Sequence, residues 1–290
     1  MLRLLTWNIQ SARAPDGGAD LGGVLACLDR FAPDADLLCL QEVASGFPAR
    51  DGSPGGDQFA GLMQGLPGWH AARAYAVDTL APDGGRRRLG SMVFSRHPIL
   101  QVLRHALPWP ADPAAPSMPR IALELTLDTP YGPLRLLNVH LEYFSEVQRL
   151  AQLGALRTLQ HQAWAQAQHP PAATAPGGDP DSPFAATPRP ARAVMLGDFN
   201  MLPGSRSHLA LLEPFTDGTP PWLDAWRLAH PERPHAPTVG LADPNGDAFC
   251  FDYAFVSADL ANRVCGLRVG ELTHASDHQP LLLALDLQPA

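Results

Sequence analysis

Val194-Met195-Leu196-Gly197-Asp198-Phe199-Asn200 is a short apolar run that ends on a carboxylate and an amide. The run reads as a buried strand, and the polar pair as the point where that strand leaves the core. Alternate residues of an extended segment share a face, so Asp198 and Asn200 project together. A carboxylate placed there can orient and deprotonate a water, and the neighbouring amide can fix that water or contact a phosphate. The bland alternative is an Asx-turn, in which both side chains only cap the backbone.

The same grammar recurs outward along the chain. Thr6-Trp7-Asn8 closes the apolar stretch from Leu2, and Gln41-Glu42 follows Ala35 to Leu40. Asn138-Val139-His140 ends the run from Leu134, and Ser276-Asp277-His278 precedes Leu281 to Leu285. Each taken alone has an ordinary structural explanation. Together, in one order and all at strand ends, they supply Glu, Asp, Asn and His, the groups that metal-assisted phosphoester hydrolysis needs. Glu42 is a candidate ligand for a hard divalent ion, with Gln41 as a donor behind it. His278 can donate to a phosphoryl oxygen or leaving group if a carboxylate holds its ring. Adjacent residues point apart, so Asp252, from another strand, is a better orienting partner for His278 than Asp277. His140 is a second candidate donor.

Composition bounds the class. The chain has 290 residues, 46% of them hydrophobic, enough for a sizeable core in one large α/β domain or two small ones. Its formal net charge of −8 weighs against loose nucleic-acid binding, which depends on neutralising phosphates. Arg86-Arg87-Arg88 reads either as a local basic rim or as a solvated charged loop. The four cysteines, Cys27, Cys39, Cys250 and Cys265, show no metal-binding spacing, and most read as small core residues. The N-terminal apolar stretch is too short for a signal peptide, and no run approaches the roughly 20 residues of a membrane span. The expected protein is soluble, cytoplasmic and without stable membrane insertion, and no protein partner is predicted.

Leu21 to Phe31 has helical spacing, as does Glu146 to Trp164, whose apolar stripe would be Val147, Leu150, Leu153 and Leu156. Leu89 to Phe94 and Ile99 to Leu103 read as paired strands joined by Ser95-Arg96-His97-Pro98. Ile121 to Leu127 alternates as a half-exposed strand should. Tyr253 to Val256, Val264 to Val269 and Leu281 to Leu285 complete the strands. Roughly ten strands and a few helices predict two packed sheets with helices outside, antiparallel or mixed. His169 to Arg192 is rich in Pro and Ala and reads as an inserted loop, and Pro108 to Pro119 as a second one. The motif series continues across both, so residues 1–290 are expected to form one catalytic domain.

With these motifs in hand, the chain resembles the endonuclease/exonuclease/phosphatase superfamily, the deoxyribonuclease I-like group, from Thr6 to His278. Gly90-Ser91-Met92-Val93-Phe94-Ser95-Arg96 and Phe251-Asp252-Tyr253-Ala254-Phe255-Val256-Ser257 are further marks. The resemblance implies a four-layered α/β sandwich, two packed mixed β-sheets flanked by helices. It implies Mg²⁺ or Mn²⁺ on Glu42, with Asn8 and Asp277 nearby. Asp198 would activate the water, with Asn200 as its phosphate-binding neighbour. His278, oriented by Asp252, would contact the scissile phosphate, and His140 would be a second donor or general acid. There are departures. Gln10 stands where some relatives carry an acid, His140 where abasic-site enzymes carry Tyr, and Cys250-Phe251 where a basic and an aliphatic residue are usual. His140-Leu141-Glu142 with Arg149 and Gln152 is similar to tyrosyl-DNA phosphodiesterase 2, although sphingomyelinase-like members carry much the same set. Alternatively, Arg149 and Gln152 simply pack a helix end against the sheet.

The expected activity is a divalent-metal-dependent phosphoesterase, foremost a phosphodiesterase acting on nucleic acid or a small phosphodiester by in-line water attack. The alternatives are a lipid phosphodiesterase docking through aromatics near Phe47, Trp109 or Trp222, and a non-catalytic binding module on the same fold.

Overall fold

Strands that are apolar on both faces must be covered on both faces, and this requirement builds the molecule. A computed structural model describes residues 1–169, 182–242, 246–270 and 273–288. Six strands form one sheet: β1 (Leu2–Asn8), β2 (Leu37–Ser45), β3 (His70–Leu80), β4 (Arg86–Ser95), β11 (Val264–Val269) and β12 (Leu281–Leu285), in the order β11-β12-β1-β2-β4-β3. Six more form the second: β5 (Ile99–Ala106), β6 (Ile121–Thr129), β7 (Gly132–His140), β8 (Ala193–Asp198), β9 (Trp222–Asp224) and β10 (Asp252–Ser257), in the order β5-β6-β7-β8-β10-β9. Helices α1 (Leu21–Phe31) and α2 (Gln58–Gly65) cover the first sheet. Helices α3 (Glu146–Gln168) and α4 (Arg206–Leu212) cover the second, and the short α5 (Ala225–Ala229) follows β9. The result is the four-layered α/β sandwich.

The period of two partitions the strands' side chains between layers. Leu2 and Leu4 of β1 face the inter-sheet core, with Leu123, Leu125, Leu136, Val194 and Leu196 from the other sheet. Leu5 and Trp7 face the opposite way, onto Val24, Cys27 and Leu28 of α1. Leu137, Val139, Met195 and Phe255 point outward onto Leu153 and Leu156 of α3.

Each sheet has one parallel pair, β1 with β2 and β7 with β8, at its centre. Parallel neighbours end on the same side. Asn8 therefore lies in register with Gln41, and His140 with Asp198, while antiparallel β10 begins with Asp252 opposite Asp198. This is how residues 34 to 244 positions apart in sequence, Asn8 with Glu42 and Asn8 with Asp252, reach one edge of the sandwich.

Four local expectations need correction. β4 and β5 do not pair: β4 lies between β2 and β3, and β5 pairs with β6 across in the other sheet. The unforeseen strand β3 fills the edge that β5 would have used, so Ser95–Pro98 crosses between sheets. β6 is not half-exposed, because Glu124 and Thr126 on its outer face are buried. Glu124 is accommodated by Arg189, His105 and Arg135. Val147 of α3 points to solvent, and the buried stripe runs instead through Gln148, Gln152, Leu153, Leu156 and Gln160. Arg86–Arg88 is no loop but the start of β4, where Asp78 of β3 accepts from both Arg86 and Arg88.

Of the aromatics considered for membrane docking, Trp222 is fully buried, Phe47 half-buried and Trp109 exposed. Cys265 is exposed, unlike the other three cysteines. Among the described residues, no helix is long and apolar enough to cross a membrane. Residues 170–181 of the Pro-rich insertion lie outside the described residues.

Candidate active site

Asp198 is the last residue of β8 and is almost wholly buried. Its Oδ2 accepts from Asn8 Nδ2 at 3.0 Å, and its Oδ1 from the backbone N–H of Asn200 at 3.0 Å. The Nε2 atoms of His140 and His278 stand 3.4 and 3.8 Å from the same Oδ2. One carboxylate oxygen is thus the meeting point of three of the side chains expected from sequence.

Glu42 arrives through a β-bulge. Register with β4 shifts between Leu40 and Val43, and Glu42 takes a left-handed φ of 54°. The bulge separates neighbouring roles. Gln41 stays fully buried and donates to Thr6 Oγ1 and Asn138 Oδ1, tying both sheets together. Glu42 turns into the site, where its Oε1 also accepts from Asn8 Nδ2, at 3.0 Å. Asn200 has a left-handed φ of 50° as well, and such strain persists only where the surroundings enforce it.

Asp252 holds the His278 ring. Its Nδ1 lies 2.8 Å from Asp252 Oδ2, while Asp277 Oδ1 is 4.0 Å from Nε2. Trp7 Nε1 donates to the His278 carbonyl, and Ser276 Oγ donates to the Asn8 carbonyl, fastening this loop to β1. Burial pulls the His278 imidazole down, but Asp252 and Asp198 outweigh it and hold the ring protonated at neutral pH. Burial pushes the Asp198 carboxyl well above the usual range, His278 opposes this, and the charges of Asp252 and Glu42 add to it. His140 is held neutral, first by burial and then by the charges of Arg120 and His278. A neutral His140 can still donate a hydrogen bond from its ring N–H.

Asn8 and Asn200 are each fixed by hydrogen bonds within the site. Asn8 presents its amide N–H groups to the two carboxylates, while its Oδ1 accepts from Gln10 N and keeps a second lone pair. Asn200 donates through Nδ2 to the Leu141 carbonyl, which fixes the turn after β8. Arg149 donates to the Glu142 and Tyr143 carbonyls, and Gln152 accepts from Glu142 N, the helix-packing alternative for both.

Thr238 and Arg120 went unrecognised in the sequence, and Gln10 stands out there only as a departure from the family pattern. Gln10 Nε2 donates to Asp277 Oδ2 at 2.6 Å, so the residue that replaces an acid steers one. Thr238 Oγ1 donates to Asp252 Oδ2 at 2.6 Å. Arg120 lies beside His140 at the end of the 108–119 loop. Thr238 and Arg120 belong to no motif, and no local pattern flags them.

A hard divalent cation fits this donor set. Glu42 and Asp198 converge on one amide nitrogen, Asp277 Oδ1 stands 4.0 Å from His278 Nε2, and the charges of Asp252 and Glu42 add to the burial that lifts Asp198. Oxygen donors of this kind suit Mg²⁺ or Mn²⁺.

The fold is shared with known proteins. No curated protein matches the chain. Solved structures do. An endonuclease/exonuclease/phosphatase from Beutenbergia cavernae superposes with a TM-score of 0.68 at 24% identity, covering 98% of this chain and 71% of that one. A mannosyl-6-phosphatase from Bacteroides thetaiotaomicron gives 0.65 at 18%, covering 99% and 100%. A 3′ phosphatase from Neisseria, bound to a product DNA hairpin, gives 0.59 at 19%, covering 99% and 100%. At these identities the likeness speaks for the fold. The family model for the endonuclease/exonuclease/phosphatase family matches residues 5–278, spanning every motif described above, and the chain belongs to that family.

Proposed function

We propose that this protein is a divalent-metal-dependent phosphodiesterase, a single catalytic domain that hydrolyses nucleic-acid or small phosphodiester substrates by in-line attack of water. The observation that carries this reading is the convergence on Asp198 Oδ2 of Asn8, His140 and His278 within 3.8 Å.

Asp198 takes a proton from the attacking water, and its elevated proton affinity makes it an effective base near neutral pH. Asn8 holds that carboxylate and Glu42 at a fixed separation. His278, protonated and braced by Asp252 and Thr238, donates from Nε2 to the phosphoryl group as negative charge develops there. His140 adds a neutral donor from the adjacent strand. Asn200 keeps the turn after Asp198 closed. Glu42, Asp277 and Asn8 Oδ1 would hold Mg²⁺ or Mn²⁺, which supplies Lewis-acid polarisation of the phosphoryl oxygens.

An aromatic group beside the site bears on the substrate. Tyr143 and Phe144 are exposed, Tyr143 packs edge-on against Phe251, and Phe251 against Phe249. Such a surface favours a phosphodiester carrying a nucleobase or another flat apolar group. A lipid phosphodiester is the second reading, supported by the exposed Phe144 and Trp109.

The test is hydrolysis of bis-p-nitrophenyl phosphate against p-nitrophenyl phosphate, with Mg²⁺, Mn²⁺ or EDTA. The monoester is the apt comparator because two of the structural relatives are phosphatases by name. Preferred cleavage of the diester, lost in EDTA and in folded Asp198→Ala and His278→Ala variants, is expected. Wild-type rates in either variant would refute the site. Co-sedimentation with liposomes would move the substrate to the lipid class.

A further inference from the structure

We propose that Arg120 anchors the substrate, receiving a non-bridging phosphoryl oxygen on its Nη1. This rests on the phosphoester reading above.

Arg120 is only 6% exposed, and burial of a guanidinium demands compensation. Its backbone is fixed by the Leu107 N–H, which donates to the Arg120 carbonyl. The side chain receives a single long contact, Nε to Glu142 Oε2 at 3.3 Å. Glu142 is fully buried, and its Oε1 is committed to the backbone N–H of Phe144. The pair is therefore one-pronged, although a guanidinium and a carboxylate can form two parallel hydrogen bonds. Nη1 is buried and has no protein acceptor among the described residues.

Arg120 borders the reaction centre, close enough for its charge to act on His140. Arg120 lines a small cavity together with Glu42, Ser91, Met118 and His140. Its accessible space, about 10 Å³, is on the scale of one oxygen-sized group. The acids of the site, Glu42, Asp198, Asp252 and Asp277, would repel a phosphate. Arg120 is a permanent cation beside His140, and a guanidinium suits a phosphoryl oxygen in shape and charge. Glu142 then has a specific job: it aims the guanidinium by its Nε and leaves the other edge available.

Truncating Arg120 alone would strand the Glu142 carboxylate, so the test uses Arg120→Met with Glu142→Gln, and Arg120→Gln with Glu142→Gln as a second charge-free pair. Binding of inorganic phosphate is measured by calorimetry in Mg²⁺, with circular dichroism to establish folding. Reporter kcat and KM are measured alongside. Loss of a charge-assisted hydrogen bond should weaken phosphate binding roughly 10- to 100-fold. KM should rise and the metal dependence should stay unchanged. A folded pair that binds phosphate like wild type overturns the proposal, and active wild-type protein would still uphold the hydrolase. Conversely, Arg120-dependent phosphate binding in a protein that cleaves neither reporter supports the anchor and counts against the hydrolase. A wild-type chain that binds no phosphate overturns the anchor.

Discussion

Replacing Gly197 by alanine should disable the site from behind. Gly197 is paired with Val139 across the parallel β7–β8 junction, at a φ of 150°. A Cβ built there would lie 1.9 Å from the Val139 carbonyl oxygen and 2.8 Å from its carbonyl carbon. Both are backbone atoms, which no rotamer change can move aside. Reaching even 3.0 Å requires the strands to part by about 1 Å, the difference between 3.0 and 1.9. The next pair in the ladder is His140 with Asp198, whose side chains stand 3.4 Å apart. A misplacement of that size at a catalytic group costs on the order of 100-fold in rate. The overpacking should also destabilise the fold by roughly 1–3 kcal/mol. Reporter turnover and thermal unfolding would be measured together. Gly154 provides the control. It lies on α3, where an added Cβ would meet nothing within 4 Å, and Gly154→Ala should leave activity intact and stabilise the helix by up to about 1 kcal/mol. Wild-type turnover in Gly197→Ala would refute the claim that this close strand approach sets the Asp198–His140 geometry.

Two further perturbations probe the supports around the site. Thr238→Val removes the hydroxyl that donates to Asp252 Oδ2, and should lower kcat about tenfold with KM little changed, the equivalent of one hydrogen bond of roughly 1–1.5 kcal/mol. An unchanged kcat would show that Asp252 orients His278 unaided. The buried Glu124 predicts acid sensitivity. Burial alone would raise its pKa, but hydrogen bonds from His105 and Arg189 and the charge of Arg135 prevail and lower it to about 2. A carboxylate depressed on folding contributes stability that is complete above its unfolded pKa, about 4.3, and is lost as pH falls toward about 2. The span corresponds to roughly 3 kcal/mol. Chemical denaturation between pH 6 and about 2 should therefore show a loss of stability in wild type that is much flatter in Glu124→Gln. Parallel curves would assign acid sensitivity elsewhere.

What the sequence disclosed, and what it hid, follows from where the information lies. Asp198, His140 and Asn8 end strands whose apolar runs are local and whose parallel pairing forces their ends together, so chain order alone was informative. Asp252 was identifiable because neighbours in sequence usually point apart, which favoured a carboxylate from another strand over Asp277 as the partner of His278. By contrast, Thr238 and Arg120 touch Asp252 and the cavity by His140 only through loop placement, which no spacing encodes. The sheet assignment of β4 and β5 failed for a related reason. A four-residue link is compatible with a hairpin, and only the presence of β3 at the neighbouring edge excludes it. Glu124 misled most directly, because alternating polarity signals a wet face unless distant cations dry it, and Arg135 and Arg189 lie 11 and 65 positions away. The same division carries into function. In the proposed reaction, strand-end Asn8, His140 and Asp198 form one set of groups, and loop-borne groups, His278 and Arg120 among them, set the charge and reach with which the site meets a substrate. Relatives sharing the first set can therefore differ in substrate through the second.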